Sequence, residues 1–172
     1  MKKTNGAVVA SALLAVGVFA SPAQADGFPG GTFRIESFAG SEDGAWNCLS
    51  ADISRYVVPK ACDGSDRQKW TWNSRTGQLS PASHPTLCAS DGLDEFLFPK
   101  VELRPCVSGG SPSQEWEYEP DDHGSVRVQH PIGSQGDPEY WYWTCGERVE
   151  SACVTWPVDA RLPDGRFRVS SW

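Results

Sequence analysis

Trp141 and Trp143 stand two residues apart in Asp137-Pro138-Glu139-Tyr140-Trp141-Tyr142-Trp143, beside two carboxylates. Flat indole rings can stack on the apolar face of a sugar or on a partner's side chain, and the carboxylates of Asp137 and Glu139 can accept hydrogen bonds from hydroxyls. Strand alternation puts Tyr140 and Tyr142 on one face and Trp141 and Trp143 on the other. Aligned with Val101 and Leu103, the two tyrosines point at the core and both tryptophans face outward as a stacking platform. A second, weaker grouping joins Asp91 with Asp94, Phe96 and Phe98, although its Asp-Gly step is also ordinary turn chemistry. Nothing comparable offers catalysis. The sequence has no Gly-x-Ser-x-Gly elbow, and the adjacent carboxylates Asp121-Asp122 lie in a glycine-flanked turn. No Cys-x-x-Cys or His-rich spacing suits a metal. The chain therefore reads as a binder, not an enzyme, with no cofactor implied.

The elements that must carry these residues come from a repeat. Gln68-Lys69-Trp70-Thr71-Trp72 recurs as Gln114-Glu115-Trp116-Glu117-Tyr118, and Val154-Thr155-Trp156-Pro157-Val158 keeps the Trp without the Gln. Each Trp is followed, 7, 8 or 9 residues on, by Gly77-Gln78-Leu79, Gly124-Ser125-Val126 or Gly165-Arg166-Phe167. That order reads as strand, turn, strand. Gly31-Thr32-Phe33-Arg34-Ile35 is a fourth Gly-x-apolar strand, so the repeats run about 31–76, 77–123 and 124–172. Pro and Gly together make 30 of 172 residues, which suits many short strands rather than helices. Units this small cannot bury their own apolar faces, so three must share one core, and a closed all-β arrangement removes the strand edges. The core is then Trp70, Trp116 and Trp156 with Phe33, Leu79, Val126 and Phe167.

Residues 1–25 read as a secretory signal peptide: Lys2 and Lys3, an apolar run from Ala7 to Ala20, and Ala23-Gln24-Ala25 before Asp26. The run is shorter than the ~20 residues a bilayer needs, so no membrane span is expected. Loss of the two lysines would take the formal net charge from −7 to −9 in the domain 26–172, which argues against nucleic acid as a partner. Export makes the six cysteines disulfide candidates, with fifteen formal pairings. The repeat reduces that number. Cys48 and Cys62 precede the first Trp hairpin, and Cys88 and Cys106 the second. Cys145 precedes Trp156 by 11 residues as Cys106 precedes Trp116 by 10, which makes it the counterpart of Cys62 and Cys106 and leaves Cys153 as its partner.

Leu87-Cys88-Ala89-Ser90, Val101-Glu102-Leu103-Arg104-Pro105-Cys106 and Gln114-Glu115-Trp116 resemble a repeat of the ricin B-type β-trefoil lectins. Asn47-Cys48-Leu49-Ser50, Cys62 and Gln68-Lys69-Trp70 resemble another, and the likeness covers residues 31–172. It implies an all-β trefoil of three repeats in which Gln-x-Trp is structural, the Trp filling the core and the Gln tying down a loop. It also implies carbohydrate binding, in one shallow pocket per repeat. A galactose-type pocket of that family has an Asp two after the first Cys, an aromatic two before the second, and an Asn before the Gln. The matching residues here are Ser50 and Ser90, Lys60 and Arg104, and Arg67 and Ser113. Repeats one and two thus carry the scaffold without that site, while repeat three has Trp143 two before Cys145. The expectation is a secreted, lectin-like carbohydrate-binding protein with an altered site at Trp143, Trp141, Asp137 and Glu139, and with Asp91 and Phe96 as the other place to look. The alternative is a protein-binding trefoil, either the partner or delivery subunit of a toxin or an inhibitor.

Overall fold

The structure, a computed structural model, describes residues 27–38, 45–52, 54–92, 99–120, 124–130, 139–145, 152–157 and 166–171. Among them are twelve strands, a single 3-10 turn at Pro112–Gln114 and no α-helix. The strands are β1 (Thr32–Ser37), β2 (Asn47–Ala51), β3 (Val57–Lys60), β4 (Trp70–Asn73), β5 (Gln78–Pro81) and β6 (Leu87–Asp91), then β7 (Val101–Pro105), β8 (Trp116–Glu119), β9 (Ser125–His130), β10 (Glu139–Thr144), β11 (Val154–Pro157) and β12 (Phe167–Ser171).

Six of them close a barrel. The antiparallel pairs β4–β5, β8–β9 and β12–β1 are its three double strands. They are joined where Phe33 pairs with Trp70, where the Trp116 amide donates to the Gly77 carbonyl at 2.8 Å, and where the Phe167 amide donates to the Gly124 carbonyl at 3.2 Å. The other six form the hairpins β2–β3, β6–β7 and β10–β11, which cap one end. The cap hairpins meet each other directly: the Cys153 amide donates to Val57 and the Val101 amide to Cys153, both at 2.8 Å. This is a β-trefoil, closed as the repeat requires.

The registers fix which residues are equivalent. Phe33, Gly77 and Gly124 share one position, and Trp70, Trp116 and Phe167 another. Two expectations are corrected here. Gly31 lies two residues before the position that Gly77 and Gly124 hold, and Phe167, not Trp156, takes the third Gln-x-Trp tryptophan's place. Gly77 and Gly124 have φ of +67° and +58°, and a Cβ on Gly124 would run into the Phe167 carbonyl oxygen, so only glycine suits the close barrel contact there.

All three expected disulfides form, with Cα separations of 5.0, 4.9 and 4.1 Å for Cys48–Cys62, Cys88–Cys106 and Cys145–Cys153. The third is not a copy of the others. Cys48 and Cys88 pair across their hairpins with Lys60 and Arg104, so those bridges close the hairpin base. Thr144 pairs with Val154, so Cys145 and Cys153 face each other at the hairpin tip, where repeat one has Ala51 and Val57 and repeat two Asp91 and Val101. This bridge lies buried in the core, among the contacts that join the three hairpins.

The core follows. Trp70, Trp116, Trp143, Phe33, Phe167, Ile35, Leu49 and Leu79 are fully buried. Trp70 Nε1 donates to the Leu49 carbonyl at 2.9 Å and Trp116 Nε1 to the Ala89 carbonyl at 2.8 Å, which satisfies both buried N–H groups. Gln68 accepts from the Asp63 and Gly64 amides and donates to Ala61, and Gln114 accepts from the Val107 amide and donates to Pro105. Each Gln thereby pins the loop that carries its repeat's second cysteine. Phe28, ahead of β1, packs its ring against Phe33, Trp72 and Tyr118 at centroid distances of 5.3, 5.9 and 5.6 Å. Trp72 and Tyr118 hold equivalent barrel positions, so this ring bridges two double strands of the barrel.

Candidate functional site

Trp143 does not face outward. It is 1% exposed and stacks on Trp116, with ring centroids 4.7 Å apart and planes inclined by 30°. The cause is the alignment of Cys145. Placing Cys145 with Cys62 and Cys106 makes β10 the second strand of a hairpin. It is the first, the counterpart of β2 and β6, with Trp143 at the position of Leu49 and Ala89. A one-residue change of phase moves every side chain of a strand to the opposite face. The burial also has a volume logic. Phe167 is smaller than the Trp it replaces, and Trp143 lies beside it at 6.3 Å, filling space that Trp70 and Trp116 fill in the other repeats.

Asp91 is corrected as well. It is fully buried, at the core position that Ala51 and Cys145 hold elsewhere, and its carboxylate accepts a hydrogen bond from Thr155 Oγ1 at 2.6 Å. Gly92 beside it leaves no room for a side chain, since a Cβ there would lie 2.5 Å from the Lys100 carbonyl oxygen. Asp91 is therefore a core group rather than a ligand acceptor. Asp137 and Phe96 lie outside the described residues, as do residues 1–25; Glu139 and Trp141 are described in backbone only. Of these candidates the side chains of Trp143 and Asp91 are described, and both are buried.

The pocket positions of repeats one and two carry buried serines and ion-paired cations. Ser50 and Ser90 are buried, with 3% and 2% of their surface accessible. At the ring positions, Lys60 lies 3.5 Å from Asp52, and Arg104 holds Glu102 through Nε and Nη2 at 3.0 Å. Asp52 also accepts from Ser54 Oγ at 2.6 Å, a turn contact. In repeat three the registers give a different residue from the one the cysteine spacing indicates. Tyr142 pairs with Trp156 as Cys48 pairs with Lys60 and Cys88 with Arg104. The hairpin position that carries a cation in repeats one and two therefore carries an aromatic, Trp156, in repeat three. The sequence could have shown this only by treating Cys145 as the end of a first hairpin strand. The position two after the first cysteine falls on Thr144, which is buried like Ser50 and Ser90.

Outer-face charge also differs by repeat at one shared position. Glu36, Ser80 and Arg127 are equivalent, each beside its repeat's first cap strand. Burial alone would raise the Glu36 carboxyl, but the Arg168 hydrogen bonds, the Arg168 charge and Arg34 outweigh it and hold it below the ordinary value. Arg127 meets Glu117 at 2.7 Å and Glu119 at 2.6 Å; despite partial burial, these carboxylates and Tyr142 hold it above its usual value. Glu36, Cys48 and Cys62 come close enough to suggest three metal ligands, but both sulfurs are spent in a disulfide. Among the described residues no helix is long and apolar enough to cross a membrane.

No protein-family model matches the chain, and no curated protein matches its sequence. Solved structures do. A mosquitocidal holotoxin superposes with a TM-score of 0.63 at 13% identity, over 84% of this chain and 18% of its own. The β-trefoil lectin of the Vibrio vulnificus hemolysin/cytolysin, solved with N-acetyl-D-lactosamine bound, gives 0.59 at 15% identity, over 81% of this chain and 93% of its own. A non-toxic homologue of type II RIPs from Momordica charantia, in complex with α-methyl-D-galactoside, gives 0.55 at 16% identity, over 80% and 47%. The chain thus spans less than half of the holotoxin and Momordica chains and nearly all of the Vibrio lectin. At these identities the likeness establishes the shared β-trefoil fold.

Proposed function

We propose that the protein is an exported, lectin-like carbohydrate-binding module whose neutral-sugar site is the β10–β11 hairpin of repeat three. The observation that carries this is the register of Trp156. It holds the place of Lys60 and Arg104, where a ricin B-type pocket has its stacking aromatic. A flat neutral ring can take the apolar face of a hexose, whereas an ion-paired Lys or Arg cannot. The Asp of that pattern is replaced by Thr144, and the carboxylates Asp137 and Glu139, which precede it in sequence, are the candidate hydroxyl acceptors. Lectin structures bound to N-acetyl-D-lactosamine and α-methyl-D-galactoside share this fold, which supports the ligand class. Export is supported by the amino-terminal pattern of residues 1–25 and by three disulfides.

The test is a glycan array followed by fluorescence titration with lactose, on wild type and Trp156→Ala. Loss of binding in the variant at an unchanged melting temperature is expected. Undiminished lactose binding by Trp156→Ala would remove the site, and a wild type that binds no glycan would remove the function.

A further inference from the structure

A second surface joins arginines to aromatic rings. Where β12 crosses β1, Arg168 lies over the Trp46 ring at 4.6 Å, Trp46 meets Phe38 edge-on at 5.4 Å, and Arg166 lies over Phe38 at 5.9 Å. The four planar groups form a row with a guanidinium at each end. Arg168 is anchored from beneath by the buried Glu36 carboxylate, through Nε at 2.6 Å and Nη2 at 3.0 Å, and is still half exposed. Arg34 joins the same carboxylate at 3.6 Å. Arg34 and Arg168 thus share one buried carboxylate, and Arg166 lies at the other end of the row, on a chain of net charge −7.

The trefoil provides its own control. The positions of Arg166, Arg168 and Trp46 carry Lys69, Thr71 and Thr86 at the next junction and Glu115, Glu117 and Tyr140 at the third. Two junctions close the same barrel without the arginine–aromatic row, so the fold does not require it. Cation–π contacts help to position the guanidiniums, and the N–H groups of Arg166, with those of Arg168 not spent on Glu36, can fork onto an anionic group. A chain this acidic repels long polyanions, which leaves a single charged group on an otherwise neutral ligand.

We propose that this face is a second binding site, which takes a saccharide bearing one carboxylate or sulfate group. The sugar class rests on the carbohydrate-binding reading above; the anionic group rests on the arginine–aromatic row alone.

The experiment titrates the mature chain with lactose, 3′-sialyllactose and 3′-sulfolactose, in wild type, Arg166→Ala, Arg166→Glu, Trp46→Ala and Trp156→Ala. At least one of the two anionic probes should bind about fivefold or more tighter than lactose, the scale of one half-exposed ion pair. Which of the two does so identifies carboxylate or sulfate as the source. The preference should vanish in Arg166→Ala and Trp46→Ala and reverse in Arg166→Glu, which alters an exposed side chain and leaves the core intact. Trp156→Ala should lose lactose yet retain the anionic ligand. Equal affinity for all three sugars, or a preference that survives Arg166→Glu, would overturn this site while leaving the repeat three reading standing. Binding of no sugar at all would overturn both.

Discussion

Trp143 and Phe167 exchange sizes relative to their counterparts: the larger ring sits on β10, the smaller on the barrel strand β12, 6.3 Å away. Repeat one has the reverse, Leu49 on the cap hairpin and Trp70 on the barrel. The two positions should therefore be coupled. Phe167→Trp alone overpacks the site and should cost about 1–3 kcal/mol, and Trp143→Leu alone about 2–4 kcal/mol. The double variant, which rebuilds the repeat one pair, should recover at least about 1 kcal/mol of the summed loss in urea unfolding. Strict additivity would show that the two rings do not share one volume.

Cys145–Cys153 gives a second prediction. Its loop of 8 residues is worth roughly 2.5 kcal/mol by chain entropy, somewhat less than loops of 14 and 18. Because repeat one has Ala51 and Val57 at these places, Cys145→Ala with Cys153→Val should fold and lose only about that amount. Both sulfurs are buried, whereas Cys62 is exposed. Timed reduction with thiol labelling and mass spectrometry should therefore show Cys48–Cys62 opening first and Cys145–Cys153 last. Early labelling of Cys145 would contradict its place in the core.

These two residues also explain what the sequence did and did not disclose. Trp70 and Trp116 were legible because each comes with a Gln and a following Gly, a local pattern whose meaning does not depend on distant contacts. Their side chains, their Gln-pinned loops and the first two disulfides stand as expected. Repeat three misled because its bridge moved from the base of the hairpin to its tip. That shift imitates the ordinary cysteine-to-tryptophan spacing while changing the strand phase by one. Only the pairing of Thr144 with Val154 reveals it. Phe28 was missed for another reason: a lone aromatic before the first strand has no period to mark it.

That aromatic should matter. Phe28 is 5% exposed and touches Phe33, Trp72 and Tyr118. Phe28→Ala should cost about 3–4 kcal/mol, the usual loss for a buried Phe. A loss below about 1 kcal/mol in denaturant unfolding would mean that the tail does not hold this ring in solution.

Glu36 makes stability depend on pH in a defined sense. Its carboxyl is held below its ordinary value of 4.5 in the folded chain, so its contribution is complete above about that pH and is lost as pH falls through the folded value. Glu36→Gln should flatten this part of the acid limb and lower stability at neutral pH by about 1–3 kcal/mol, because a charge-assisted bond to Arg168 is lost. The check is the melting temperature from pH 7 to pH 3 in both proteins. Parallel curves would show that Glu36 does not carry the acid dependence.

Three buried tryptophans differ in one atom's circumstances, and that difference is measurable. Trp70 and Trp116 each donate Nε1 to a backbone carbonyl, of Leu49 and of Ala89. Trp143 Nε1 is equally buried and, among the described residues, has no hydrogen-bond partner. Replacing Trp70 or Trp116 by Phe removes ring volume and also orphans a buried carbonyl, so each should cost about 2–4 kcal/mol. Replacing Trp143 by Phe removes the same volume but also removes an unsatisfied donor whose burial itself costs about 1–3 kcal/mol. The two effects oppose each other, and Trp143→Phe should fall within about 1 kcal/mol of wild type. Trp143→Ala, which empties the space between Trp116 and Phe167, should still cost about 3–5 kcal/mol. Urea unfolding of the four variants decides the matter. A Trp143→Phe loss as large as that of Trp116→Phe would mean that the indole N–H is satisfied in solution, and a mild Trp143→Ala would mean that the ring is not in the core.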